Sequence, residues 1–362
     1  MTTTPFRGFA LTLAAVLLSI APLHAQEGRA LELTVGDVGI AIGDAPRVIG
    51  LRLNFRDRHL EQVIGANLTV WTPYEYTGRV HGLALGLPAT GARRIDGVGV
   101  GIFGVSASES SRGVIVGGLG VGAGSDVRGV AAGGLGVGAG SDVRGVVAGG
   151  LGVGAGSDIR GVAAGGLGVG AGSDVRGVAA GGLGVGVGSE LRGVAAGGLG
   201  VGVGGNATGL LAGGVGVGVG GDLRGLTVAG GAIGVGGDVN GVQAAGLGIG
   251  TGGTLRWVSL AGLGIGATGI DGLAAAPLVG ARDVRGIVMA PAYFRVVDDG
   301  AVRGLNVSAF NDVRGTQQGL AIGIFNYARH LDGLQVGILN YARNKPPGTR
   351  LLPILNYARD RR

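Results

Sequence analysis

The chain of 362 residues contains no cysteine, and only 4% of its residues are aromatic. Without cysteine it can form no disulfide, thiolate metal site, cysteine nucleophile or lipidated N-terminal cysteine. Lysine occurs once, at Lys345, outside any phosphate-binding loop. Beyond residue 25, histidine is found only at His59, His81 and His330, which lie far apart in the sequence. These absences remove most of the residue sets on which catalysis or metal binding depends.

The motifs that mark enzymes are missing as well. The sequence has no Gly-x-Ser-x-Gly elbow, which would hold a hydrolase nucleophile. Its many Gly-x-Gly pairs fit no phosphate-loop pattern and open no helix, so they do not indicate a nucleotide site. We therefore expect a non-enzymatic protein without catalytic residues. We also expect no cofactor, no cofactor-binding residues and no metal ligands.

Glycine is present in large excess, at 86 residues. Collagen requires glycine at every third position, whereas here it recurs mostly at every second. Disorder is associated with low hydrophobicity and high net charge, but 46% of these residues are hydrophobic and only 14% are charged. We expect an ordered chain whose small side chains fill a thin core.

A sixteen-residue unit recurs almost letter for letter over residues 112–256, and residues 128–143 are one copy. The arginine of the unit, or its substitute, returns without a slip in register at 112, 128, 144, 160, 176, 192, 208, 224, 240 and 256. A fixed period of this size is typical of a repeat array. Residues 193–221 lack charge, but their 14 glycines and the continuing register favour strands over a membrane helix.

The repeat predicts an all-β protein built as a flattened β-solenoid with coils of about 16 residues. Each coil would contain two short strands and two corners. A corner between Ala132 and Leu135 would let Val130 and Ala132 point inward together with Leu135, Val137 and Ala139. Residues 141–145 would form the second corner, because Asp and Gly suit a turn.

An antiparallel outer-membrane β-barrel is the alternative, since about ten residues per unit is the length of a membrane strand. Three features of the sequence favour the solenoid. In an outer-membrane barrel every second connection between strands is long, but the connections here do not alternate in length. Girdles of aromatic residues do not recur, and the face toward the lumen would be glycine rather than polar.

Four segments follow from the pattern. Residues 1–25 resemble a signal peptide, with a positive start, an apolar stretch and a cleavage site near Ala25. Residues 26–111 read as an N-terminal cap with degenerate repeats, and residues 112–256 as the regular glycine-rich repeats. Residues 257–362 read as degenerate C-terminal repeats, in which the tetrapeptide Asn-Tyr-Ala-Arg occurs three times.

The C-terminal repeats also carry a resemblance. Gly-Leu-Ala-Ile-Gly-Ile-Phe-Asn-Tyr-Ala-Arg at 319–329 and its neighbour at 333–343 resemble the Leptospira-type surface-repeat proteins of bacteria. The resemblance is best over residues 303–357, and the glycine-rich middle departs from it. It implies an exported, envelope-associated repeat protein and transfers no catalytic residue. Within these repeats Asn326 and Asn340 take the place of Gly136, which suggests either a corner or bulge with left-handed backbone or an asparagine ladder.

Acidic residues recur at one turn position, as at Asp126 and Asp142, each followed two residues later by an arginine. Calcium binding would need carboxylate oxygens from neighbouring turns, so a turn-capping role is favoured. The arginines would stack into a ladder able to hold an anion, but pairing with the acids favours a charge-balanced, solvated edge. The net charge of +6 is therefore not concentrated into a nucleic-acid surface.

We expect, then, an exported protein of the cell surface, outer membrane or extracellular space, with a structural or interaction role. Its candidate partners are a surface glycan, a lipid headgroup or an envelope protein, and the sequence does not choose among them. The barrel alternative would instead imply a transport role in the outer membrane.

Overall fold

The computed structural model describes residues 30–359, so the expected signal peptide at residues 1–25 lies outside the described residues. The chain divides into two compact units, the first ending at Gly156 and the second beginning at Ser157. Strands make up 75% of it, and together the two units contain about 17 β-solenoid coils. In the described part of the chain, no helix is long and apolar enough to span a membrane.

The first unit contains twelve described strands. They are β1 (Ala30–Val35), β2 (Val38–Gly43), β3 (Arg47–Asn54), β4 (Gln62–Thr69), β5 (Arg79–Gly86), β6 (Ala89–Gly101), β7 (Gly104–Gly117), β8 (Gly120–Ala123), β9 (Val127–Gly133), β10 (Gly136–Ala139), β11 (Val143–Gly149) and β12 (Gly152–Ala155). From β8 onward, a short strand of four residues alternates with a long strand of seven.

The second unit continues this alternation and then loses it. Its strands are β13 (Ile159–Gly165), β14 (Gly168–Ala171), β15 (Val175–Gly181), β16 (Gly184–Val187), β17 (Leu191–Gly197), β18 (Gly200–Val203), β19 (Ala207–Gly213), β20 (Gly216–Val219), β21 (Leu223–Ala229), β22 (Ala232–Val235), β23 (Val239–Ala245), β24 (Gly248–Thr251), β25 (Thr254–Ala261), β26 (Gly264–Ala275), β27 (Leu278–Ala342) and β28 (Leu351–Ala358). A single 3-10 turn, Pro347–Thr349, precedes β28. The 65 residues of β27 run through several coils, and the backbone is left-handed at Asp299 within it.

Strands of successive coils pair in parallel and in the register of the repeat. Val175 lies opposite Leu191 and Arg176 opposite Arg192, which confirms the period of sixteen. The short strands pair in the same way, with Val185 opposite Val201. Two strands and two corners per coil are confirmed. The barrel alternative is wrong, because it requires neighbouring repeats to run antiparallel, and these run parallel.

The side chains that face inward differ in part from the prediction. Val137 and Ala139 are buried as expected, but Val130 is 47% exposed and Leu135 is 52% exposed. Their inward places are taken by Val127 and Ala131. The long strand begins at Val127, which the prediction assigned to the turn, and strict alternation from that residue turns Val130 outward.

The left-handed glycine also lies elsewhere than predicted. Gly136 has no positive φ. The glycine that follows the arginine position of each sixteen-residue repeat does, as at Gly177 with a φ of 131°. A Cβ on Gly177 would overlap the carbonyl oxygen of Gly161 in the coil before it. Both the backbone angle and the close approach of the coils therefore require glycine in this column.

Antiparallel hairpins lie at both ends of the described chain. β1 pairs antiparallel with β2 in the first unit, and β28 pairs antiparallel with the end of β27 in the second. Each hairpin turns the chain back where the parallel stack ends. This fits the expectation that terminal repeats depart from the pattern of the array.

Candidate interaction surface

The regular coils of the second unit present outward residues at the same positions of the repeat. In one coil these are Arg176 and Val178 on the long strand, Leu183 at the corner, and Gly186 on the short strand. Because the coils stack in register, each of these residues becomes one step of a column. We name the columns the charged edge, the aliphatic column, the leucine ridge and the glycine column.

The charged edge is internally paired. Arg176 Nη2 lies 3.3 Å from Asp174 Oδ2, and Arg192 Nη2 lies 2.9 Å from Glu190 Oε2. The other oxygen of Asp174, Oδ1, accepts a hydrogen bond of 3.1 Å from the backbone N–H of Glu190 in the next coil. The acid thus caps a turn and offsets an arginine, as the sequence indicated, so the edge is charge-balanced.

The aliphatic column lies on the long strands, and the leucine ridge lies at the corners that follow them. Members of the ridge are 50–62% exposed and include Leu167, Leu183, Leu199, Val215, Leu247 and Leu263. Members of the aliphatic column are less exposed and include Val162, Val178, Leu210, Leu226 and Val242. Ridge residues are held by backbone bonds from coil to coil, such as Leu183 N–H to Leu167 O at 2.6 Å.

The glycine column leaves bare backbone beside the ridge. A Cβ built on its members would meet no atom within 4 Å; they include Gly170, Gly186, Gly202, Gly218, Gly234, Gly250, Gly266 and Gly280. No neighbouring atom requires glycine here, in contrast to the left-handed column. The result is a flat surface that runs along the short strands of the second unit.

The C-terminal coils contain the asparagine ladder, the second of the two alternatives for Asn326 and Asn340. Asn311 Nδ2 donates to Asn326 Oδ1 at 2.6 Å, and Asn326 Nδ2 donates to Asn340 Oδ1 at 2.7 Å. All three side chains are fully buried. The left-handed corner is wrong for both Asn326 and Asn340, since neither has a positive φ.

The Asn-Tyr-Ala-Arg motif follows from strand alternation. Its asparagine and alanine face inward, with Ala328 and Ala342 fully buried, and its arginine is exposed. The tyrosines Tyr327 and Tyr341 stack on the outside with ring centroids 5.5 Å apart. A second stack joins Tyr293, Phe310 and Phe325, with centroid distances of 5.6 and 5.0 Å. Burial, and then a hydrogen bond to Asp312, raise the pKa of Tyr293.

Two of the histidines, His59 and His81, each pair with one acid. His59 Nδ1 lies 2.8 Å from Asp44 Oδ2, and His81 Nδ1 lies 3.4 Å from Asp96 Oδ2. Between residues 30 and 359, no three of His, Cys, Asp and Glu are grouped so as to hold a metal ion.

Sequence reasoning missed a buried ionic cluster in the first unit. Arg52 is fully buried, forms an ion pair with Asp57, and donates to Asp44 Oδ1 at 2.8 Å and Asn67 Oδ1 at 2.9 Å. Burial alone would raise the pKa of Asp44, but hydrogen bonds from Arg58 and His59 and the charge of Arg52 hold it below the usual value. Alternation along β3, which places Arg52 on the inward side with Val48, is the signal that could have revealed the cluster.

Comparison of the chain with protein-family models, with curated proteins and with solved structures gives no match. The class of the protein is therefore defined by its fold, an all-β repeat protein of the β-solenoid type. A fold of this kind does not determine an activity, so function has to be argued from the surfaces that the coils present.

Proposed function

We propose that this protein is an exported, non-enzymatic repeat protein of the bacterial cell envelope, with an interaction role at the cell surface. The observation that carries the proposal is the apolar strip of the second unit, formed by the leucine ridge and the glycine column beside it. From Leu167 to Leu263, with a break in the ridge at Gly231, the strip covers roughly 500 Å², taking about 4.8 Å per coil and the width of a short strand. Exposed apolar surface of this extent is typical of a contact site.

The chemistry of the surface favours one class of partner. The arginines of the charged edge are paired within their own coils, so they offer little free charge to an anionic glycan or lipid headgroup. The apolar strip is flat and has no polar side chain with which to recognise sugar hydroxyls. Among the three candidate partners, these features support an envelope protein that covers the strip with an apolar face of its own.

Two features of the sequence support export. Residues 1–25 have the pattern of a signal peptide. The repeats at 303–357 resemble bacterial surface-repeat proteins, a resemblance that implies association with the envelope.

Localisation is tested by expressing the full chain in a Gram-negative bacterium beside a version that lacks residues 1–25. We expect the full chain in the envelope fraction, sensitive to protease added to intact cells, and the shortened version in the cytoplasm. Cytoplasmic accumulation of the full chain would contradict export. Protection from external protease would place it inside the envelope and contradict the surface role.

The strip is tested with the double variant Leu183→Asn and Leu199→Asn, which changes exposed side chains and should leave the fold intact. We expect release of the variant from the envelope fraction to rise about tenfold, the effect of losing contact residues at the centre of an interface. The matched control is Arg176→Gln with Arg192→Gln, on the charged edge of the same coils. Equal retention of both variants would contradict a contact through the strip.

A further inference from the structure

The N-terminal coils of the first unit carry two loops that the regular coils lack. Segment 55–61 joins β3 to β4 and segment 70–78 joins β4 to β5, and each replaces the short strand and its two corners, which in a regular coil occupy residues such as 134–142. The loops expose Phe55, Trp71, Tyr74 and Tyr76, in a chain with few aromatic residues. Extended loops on a rigid scaffold are common places for binding sites.

A pocket of about 670 Å³ lies beside these loops. Its floor is a column of half-buried leucines, Leu53, Leu68 and Leu85, which pair in register across β3, β4 and β5. Apolar side chains also line its walls: Ile42, Phe55, Val70 and Leu87. The volume and the apolar lining fall within the range of small-molecule sites.

The polar side of the pocket is cationic. Arg56 and Arg58 both line it, and their guanidinium carbons lie 4.9 and 5.9 Å from the ring centroid of Tyr74. Arg56 Nε also donates to the carbonyl oxygen of Thr72 at 3.1 Å. Within residues 30–359, Arg58 forms no salt bridge with a carboxylate. Two guanidinium groups are thus held at the pocket by one aromatic ring.

The one carboxylate that lines the pocket is already engaged. Asp44 accepts hydrogen bonds from Arg52 Nη2 at 2.8 Å and from the backbone N–H of Arg58 at 3.2 Å, and it lies 2.8 Å from His59 Nδ1. Arg52 pairs with both Asp44 and Asp57, which leaves one negative charge on this cluster, whereas Arg56 and Arg58 bring two positive charges to the pocket and keep the capacity to bind an anion. Guanidinium groups present paired donors that match a carboxylate or phosphate.

We infer that this pocket binds a single-chain amphiphile with an anionic head group. The chain lies over Leu53, Leu68 and Leu85, and the head contacts Arg56 and Arg58. The leucine floor supplies apolar contact along three coils, and the two arginines select the charge of the head. The inference concerns the first unit and is independent of the strip on the second.

The test uses detergent-free protein of residues 26–362 and isothermal titration with dodecanoate below its critical micelle concentration. We expect one saturable site. Dodecanol, which has the same chain and a neutral head, should bind at least about tenfold more weakly, and acetate, which has the head alone, should show no saturable binding. Dodecyl phosphate in place of dodecanoate distinguishes a phosphate head from a carboxylate head. Equal affinity for dodecanol and dodecanoate would overturn the role of the arginines.

Variants separate the head site from the chain site. Arg58→Gln and Arg56→Gln should each weaken dodecanoate binding about tenfold and leave the dodecanol affinity unchanged. Val70→Asp, at an exposed wall position, should weaken dodecanoate because it places a like charge beside the head and removes apolar contact. The matched control is Arg79→Gln, an exposed arginine of β5 outside the pocket, which should bind as the parent does. Unchanged binding by both pocket arginine variants, with unaltered thermal melts, would overturn the proposal.

Discussion

The regular coils of the second unit and its last coils use the same stacking geometry with different interiors. In the regular coils the inward column that contains Val185 and Val201 is aliphatic. In the last coils Asn311, Asn326 and Asn340 are equally buried and bond to one another from coil to coil. One interior is stable because small apolar groups pack closely, and the other because every coil supplies a partner for the polar group of the next.

The difference also concerns coil length. Regular coils repeat every sixteen residues, whereas the asparagines that bond to each other are 15 and 14 residues apart. A directional hydrogen bond holds neighbouring coils in register even when their lengths differ. Apolar columns have no directional bond, and in the regular coils the register coincides with the constant period of sixteen residues.

The largest effect should come from the glycines that allow the regular coils to stack. Gly177→Ala places a Cβ against the carbonyl oxygen of Gly161 at a φ of 131°. We expect a loss of about 4 kcal/mol in the free energy of unfolding, since both the backbone angle and the overlap are unfavourable. Urea unfolding and amide hydrogen exchange of β15 measure the loss.

Gly170→Ala is the control, since its Cβ would meet open space in the same stack. Its free energy of unfolding should stay within about 0.5 kcal/mol of the parent. A large loss at Gly170 as well would mean that any glycine in these coils is required, regardless of its surroundings.

The next largest effect on stability should distinguish the asparagine ladder of the last coils from the aliphatic interior of the regular coils. Asn326→Leu removes the donor to Asn340 Oδ1 and the acceptor for Asn311 Nδ2, and leaves buried polar groups short of partners. We expect a loss of about 3 kcal/mol in urea unfolding. The counterpart Val185→Asn should also be destabilising, because its column neighbours Val169 and Val201 are aliphatic and offer no partner for its amide. If Asn326→Leu proved neutral, the ladder would not be what stabilises the last coils.

A smaller effect, of opposite sign, is expected where the two regions meet. Trp257 pairs with Gly241 and Gly272 in the left-handed column, has a φ of 86° and is 68% exposed. Trp257→Gly should raise the free energy of unfolding by about 1 kcal/mol, because it relieves the backbone and exposes little apolar surface. The free energy of unfolding of Trp257→Asn should lie between those of the parent and of Trp257→Gly, since asparagine tolerates left-handed backbone. A loss of stability in the glycine variant, measured by thermal unfolding, would contradict the assignment of strain.

The smallest effect concerns pH. Hydrogen bonds from the backbone N–H of Thr254 and then from Arg256 lower the pKa of Asp238. A lowered pKa in the folded state stabilises the protein above the unfolded pKa of about 3.9, and the contribution is lost as pH falls through the folded value. Asp238→Asn should therefore lower the urea midpoint slightly at pH 7, with the difference from the parent disappearing near pH 2. A constant difference across that range would exclude the titration of Asp238 as its cause.

Much of the fold could be predicted because the period is explicit. Parallel coils and two strands per coil follow from the spacing and alternation of residues, whereas the asparagine ladder was one of two alternatives that the sequence left open. The inward orientation of Val127 was not predicted, because the equivalent residue Val143 was assigned to the turn at residues 141–145 and not to the long strand. The cluster around Arg52 was missed for a related reason: its partners Asp44 and Asp57 lie outside β3 and meet it only in the folded coil.

The sequence by itself determined the period, the strand character and the exclusion of helices, since these depend on local alternation and on the conformational cost of glycine. Only the tertiary structure decided which glycines are obligatory. Gly170 and Gly177 look equivalent in the sequence, yet one faces open space and the other meets the backbone of the preceding coil. That distinction arises from contacts between residues sixteen positions apart, and a repeat in sequence does not reveal how closely its copies approach in space.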